Sequence, residues 1–161
     1  MKKDTAKELL YLGIDPGRSK TGAALVWGDG SLLSQCVLRT AGLRRDLPAW
    51  LKQELGVHNI WGLRTVLECG VIGNGTNSGP VREQLQELLP GLVWQQVGEA
   101  HSTEEARRLY WKLHPPSGWR RLIPLGLQAP PEPLDGYAAV IQVQRYLETL
   151  SHGPESRTPE P

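Results

Sequence analysis

The chain has 161 residues, a formal net charge of +1, 39 % apolar residues and 22 % charged ones, which suits one packed domain and excludes both two full domains and a disordered polyelectrolyte. The polar N-terminus and the lack of any apolar run near the roughly 18 residues that a span requires exclude a membrane role and predict a cytoplasmic protein. The two cysteines, Cys36 and Cys69, lie apart in apolar segments and read as reduced core thiols.

Residues 8–15 predict a first strand, with Leu10, Leu12 and Ile14 alternating up to Asp15 and a Pro-Gly turn behind it. Residues 21–27 and 31–40 predict two more, joined by Gly28-Asp29-Gly30, a tight hairpin turn. A first helix follows over 43–55, where Pro48 either kinks it or marks its start. Residues 64–69 predict a fourth strand that ends in Glu68, Cys69 and Gly70 and opens into the glycine-rich loop 73–79. Pro80 suits the first turn of a helix over 81–89, residues 92–97 a fifth strand, and Ser102 or Thr103 the start of a third helix with acids at its positive end. The proline-rich stretch 114–133 has no periodicity and predicts a long surface loop with a short turn near 122–127. A last helix is predicted over 134–150 within a single domain of residues 1–150, and a disordered tail over 151–161. This order closes naturally as an α/β fold: a five-stranded mixed sheet, its first three strands antiparallel, with helices on both faces.

Acids recur at the ends of these elements. Asp15 ends the first strand, where a carboxylate is costly unless it is paired or bound to a cation. Glu68 is read as ending the fourth strand and Glu99 the fifth, and Asp135 starts the last helix on its sheet-facing side. Each has an ordinary alternative: a turn cap at Asp15, an exposed strand residue at Glu68, a helix-entry acid at Glu99, a helix cap at Asp135 and a loop residue at Glu132. Together they outline a site for Mg²⁺ or Mn²⁺, whose preferred ligands are carboxylate oxygens, and hence for metal-assisted hydrolysis of a phosphodiester. His58, His101, His114 and His152 lack the close spacing of a zinc site.

Gly13-Ile14-Asp15-Pro16-Gly17 followed by Thr21-Gly22 resembles the first strand and hairpin of RuvC-type Holliday junction resolvases. Glu68 fits the second acid of that family, and Glu132-x-x-Asp135 its paired terminal acids. Residues 97–106 instead resemble the Asp-Glu-Arg-x-Thr-Thr-x-x-Ala stretch of the YqgF (RuvX) family, with Glu99 on the acid. With the Asp135-x-x-Ala-Ala pattern and the chain's size, YqgF is the nearer resemblance, although Glu68 falls where that family usually has a glycine. The resemblance implies a ribonuclease H-like fold and a Mg²⁺- or Mn²⁺-dependent nuclease for branched or single-stranded DNA or structured RNA. Asp15, Glu68, Glu99 and Asp135 are its expected catalytic residues, with Asp15, Glu68 and Asp135 on the metal, in a monomer or homodimer.

Arg18 and Lys20 flank the first acid, and Arg107, Arg108, Lys112, Arg120 and Arg121 gather around the proline-rich stretch with Trp111 and Trp119 among them. These are candidate phosphate and base contacts. Two rival readings stand beside the nuclease. The Gly-Ile-Asp-x-Gly hairpin also resembles that of actin-like ATPases and sugar kinases, which need two lobes where this chain supplies one. A catalytically silent nucleic-acid-binding module would leave the acids dispensable.

Overall fold

Strand β1 (Leu10–Asp15) is buried on both faces until its final aspartate, which marks it as the centre of a sheet covered on two sides. The computed structural model describes residues 8–57, 66–100 and 102–153. Strands β2 (Lys20–Trp27) and β3 (Leu32–Arg39) follow as an antiparallel meander. Helix α1 (Leu43–Leu55) contains Pro48 in its interior, and Gly56 in the left-handed region ends it. Strand β4 (Leu67–Gly73), helix α2 (Ser78–Leu88) and strand β5 (Trp94–Val97) come next, then α3 (Ser102–Leu113) and α4 (Asp135–His152). The sheet order is β3-β2-β1-β4-β5, with β4 parallel to β1 and β5 parallel to β4. That is the ribonuclease H-like arrangement, a mixed sheet whose first three strands are antiparallel.

Two cores cover its faces. Leu10, Leu12, Ile14, Leu25 and Ile72 pack under α1 and α2 through Leu43, Leu47, Leu51, Val81 and Leu85. Tyr11, Ala24, Val26, Cys69 and Val71 pack under α4 through Ala139, Val140 and Val143. Helix α3 rests on the outer side of α4, joining Ala106, Tyr110 and Trp111 to Tyr137, Ala138 and Ile141. The segment between α3 and α4 carries two short 3₁₀ turns, Gly118–Leu122 and Leu125–Leu127, and otherwise irregular backbone. Among the described residues no helix is long and apolar enough to cross a membrane.

The fourth strand corrects the sequence reading. It runs on to Gly73, because Val71, Ile72 and Gly73 are buried between β1 and β5, where the glycines suggested a loop. Glu68 therefore stands near its start, at the register shift between the Leu10–Leu67 and Tyr11–Cys69 pairs. The predicted residues 64 and 65 lie outside the described residues, as does the tail from 154. Ser151 and His152 belong to α4.

Candidate active site

The ends of β1, β4 and β5 share one edge of the sheet. Asp15 closes β1 opposite Gly22, the Ile14–Ile72 pair carries on to Gly73, and Gly73 pairs with Val97. Glycines supply the room there. A Cβ on Gly22 would overlap the main-chain carbonyl of Asp135, and one on Gly13 that of Ala139, so α4 lies with its backbone directly on β1 and β2. Its first residue, Asp135, is thereby set beside the hairpin that holds Asp15. Leu134 in the cap position makes no side-chain capping bond, so Asp135 is a first-turn acid favoured by the helix dipole and not the cap itself. A Cβ on Gly73 would stand 2.5 Å from Glu99 Oε1 and 2.5 Å from Gln142 Nε2, and one on Gly75 would overlap Glu99 Oε2. The bare end of β4 is the hollow into which Glu99 folds.

Several side chains fix this arrangement. The Glu99 backbone N–H donates to Asn74 Oδ1 at 3.2 Å, and its carbonyl accepts from the Ser102 N–H at 3.0 Å. From α4, Arg145 donates to the carbonyls on either side of Glu99, Gly98 at 2.6 Å and Ala100, and pairs with Glu105 at 2.6 Å. The turn after Asp15 is tied down through the Gly17 carbonyl, which accepts from Asn77 Nδ2 at 2.8 Å and from the Thr40 hydroxyl at 2.9 Å. Gln142, wholly buried, donates from Nε2 to Asp15 Oδ1 at 3.0 Å.

Burial pushes the Asp15 carboxyl up to about 6, with the charges of Glu99 and then Asp135 adding to the rise and the Gln142 hydrogen bond opposing it. Glu99 Oε1 and Gln142 Oε1 are both buried without a hydrogen-bond partner. No salt bridge reaches any of the three carboxylates among the described residues. The donor set is hard oxygen carrying uncompensated negative charge, which suits Mg²⁺ or Mn²⁺ and no softer metal. Among the described residues, no group of three or more histidine, cysteine, aspartate or glutamate side chains is placed to hold a metal ion. Glu99 and Asp135 are thus within electrostatic reach of Asp15, and the three do not converge on a point.

The raised carboxyl has a consequence for stability. Asp15 titrates near 3.8 in the unfolded chain and about 6 in the folded one, so the native state holds the extra proton between these values. Stability contributed at low pH is then lost as pH rises from about 4 to about 6, by about 3 kcal/mol, and stays lost above. We predict that the difference in melting temperature between the metal-free parent and Asp15→Asn widens across that interval. A difference independent of pH would show that Asp15 carries no such strain.

The structure brings Asp15, Glu99 and Asp135 together and leaves Glu68 out. Glu68 is exposed, five residues before Gly73 along an extended strand, hence roughly 16 Å from the cluster edge. Glu132 is an exposed loop residue. Arg18 and Lys20 are exposed on the turn behind Asp15; Arg107 and Arg108 are exposed on α3, the latter paired with Glu104 at 2.5 Å; Arg120 and Arg121 are exposed in the first 3₁₀ turn. His58 and His101 lie outside the described residues, while His114 contacts the Tyr137 hydroxyl at 3.1 Å and His152 the Glu148 carbonyl.

Sequence reading missed Gln142, Asn74, Asn77 and Arg145. Gln142 did leave a signal: it lies seven residues after Asp135, two turns along the same face, where the stripe calls for an apolar side chain. The other three act through backbone carbonyls and N–H groups, which no side-chain pattern reports.

No protein-family profile and no curated protein matches the sequence. Several solved structures resemble the fold. Thermus thermophilus RuvC in complex with a Holliday junction substrate has 14 % identity and a TM-score of 0.49, over 90 % of this chain and 96 % of that one. A second Thermus thermophilus RuvC structure has 16 % identity and a TM-score of 0.47, over 86 % and 94 %. A ROK family transcriptional regulator, a homologue of the E. coli MLC protein, has 12 % identity and a TM-score of 0.44, over 65 % of this chain and 31 % of that one. The chain thus spans about a third of that regulator's length. At these identities the likeness is one of fold and assigns no role to any residue.

Proposed function

We propose that this chain is a divalent-metal-dependent nuclease in which Asp15, Glu99 and Asp135 hold the metal. The observation that carries this reading is the gathering of three carboxylates at one sheet edge, with a fourth side chain, Gln142, holding Asp15 and, among the described residues, no cation paired with any of them. Bound Mg²⁺ or Mn²⁺ would neutralise this charge and supply Lewis acidity to the phosphodiester. The protein's own part is to hold the backbone and side chains that carry the acids. Asn74 and Arg145 hold the backbone on both sides of Glu99, Gln142 orients Asp15, and the glycine contacts under α4 fix Asp135.

This assignment fits the YqgF-like reading better than the RuvC-like one. With β4 ending at Gly73, a glycine and not Glu68 closes that strand, and Glu99, which the resemblance sets on the family's acid in residues 97–106, fills the space it leaves. Substrates proposed on this basis are branched or single-stranded DNA and structured RNA, with Arg18 and Lys20 nearest the site to meet phosphates.

The test is cleavage of labelled four-way junction, single-stranded DNA, duplex DNA and structured RNA with Mg²⁺ or Mn²⁺. Glu99→Gln should lose on the order of 10²-fold or more in rate, whereas Glu68→Gln should cut as the parent does. Failure of the parent to cut all four substrates, or a Glu99→Gln enzyme as fast as the parent, would overturn the assignment.

A further inference from the structure

A second feature of the molecule lies away from the carboxylates. Between the outer side of α3 and the 3₁₀ turn Leu125–Leu127 is a cavity of about 480 Å³, within the range of roughly 300–1,000 Å³ usual for small-ligand sites. Its walls are Glu104, Arg107, Arg108, Trp111, Lys112 and the Leu125–Gly126 turn, with Glu104 paired to Arg108 at 2.5 Å. Trp111 is only 8 % exposed, and its buried indole N–H has no acceptor among the described residues. Arg107 and Lys112 make no salt bridge among the described residues, and neither do Arg120 and Arg121. In the preceding 3₁₀ turn, Gly118–Leu122, Trp119 is 70 % exposed beside Arg120 and Arg121.

Resting on the nuclease reading, we propose that this cavity receives one unstacked nucleotide of a single-stranded nucleic acid. A nucleobase has the flat apolar body that Leu125 and the Trp111 ring would cover. Its flanking phosphates meet Arg107 and Lys112, and Trp119 offers a face on which the next base stacks. A duplex keeps its bases paired and cannot fill the cavity. Along α3 the walls begin five residues after Glu99, so they lie within about 20 Å of it, and a strand held here continues toward the carboxylates.

Binding of a labelled twelve-nucleotide single strand and of its duplex is measured by fluorescence anisotropy over a range of salt. The protein is Asp15→Asn in chelator, so that nothing is cut. Single strand should bind tighter than duplex. Trp111→Phe, which shrinks the ring that covers the base, should weaken it about fivefold, and Arg107→Gln with Lys112→Gln should flatten the salt dependence by about 1.4 in log–log slope. The exposed pair does not depend on Trp111 variants folding. Equal affinity for parent and the Arg107/Lys112 variant, a preference for duplex, no binding by the parent, or a loss that tracks a change of oligomeric state would each overturn the proposal. If wild type cuts and these variants bind normally, only the cavity assignment falls. If the cavity binds single strands and wild type never cuts, only the nuclease falls.

Discussion

Asp15→Asn should lower metal-dependent cleavage by about a thousandfold or more and, in the same protein, raise the stability of the metal-free fold at pH 7. The two effects have one origin. At pH 7 the carboxyl is ionised although burial, Glu99 and Asp135 all oppose its charge, and the amide removes that charge with almost no change of shape. The rate falls because a carboxylate that holds a catalytic metal is lost, and preorganised electrostatic groups of this kind are worth about 10²–10³ each even without a metal. A metal that binds only the folded state at 100 times its dissociation constant stabilises by about 2.7 kcal/mol, or about 5–11 °C for a chain of this size. That gain should appear when Mg²⁺ or Mn²⁺ is added to the parent and be absent in Asp15→Asn. An aspartate that merely caps the turn predicts no such gain, because asparagine caps about as well, and a fold indifferent to metal in both proteins. Calorimetric melting with and without the ion, beside the cleavage assay, separates the cases.

How far the sequence could be read follows from which interactions were local. The strands of the meander, the apolar stripes of α1 and α4 and the tight turn at Gly28-Asp29-Gly30 are set by spacing and turn chemistry, and they stand where spacing put them. The expected sheet, with helices on both faces, is the one observed. The fourth strand failed for a physical reason. Gly70 and Gly73 signal a loop when taken alone, but in the sheet Gly70 is covered by the Trp94 ring and Gly73 makes way for Glu99 and Gln142. Small residues there answer to neighbours distant in sequence, and a window of local pattern cannot see them. The same blindness moved Glu68 to the wrong end of β4 and hid Gln142, whose partner Asp15 is 127 residues away. Asp15 and Asp135 were legible because a carboxylate closing a buried strand and another opening a sheet-facing helix break the pattern in their own windows.

Gly22→Ala should be the most damaging single methyl group in the protein. The glycine lies in β2 opposite Asp15, and a Cβ would meet the carbonyl carbon and oxygen of Asp135, backbone atoms that cannot rotate away as a side-chain end does. Overpacking a close contact costs about 1–3 kcal/mol, and a backbone obstacle puts this site at the upper end. The expected loss is about 6–12 °C in melting temperature for a chain of this length. Gly126→Ala provides the contrast: it lies in the 3₁₀ turn Leu125–Leu127 with nothing beyond its chain neighbours within 4 Å of an added Cβ, and alanine should hold or raise stability by up to about 1 kcal/mol. Activity gives the sharper reading. Relief of the clash lifts the first turn of α4 off the sheet and carries Asp135 away from Asp15, and a displacement near 1 Å in a catalytic group can cost about 10²-fold in rate. Gly22→Ala should therefore cut slowly even at temperatures where it is fully folded. A variant that melts early but cuts at the parent's rate when folded would show that the close seat of α4 on β2 serves stability alone, and that Asp135 does not need it.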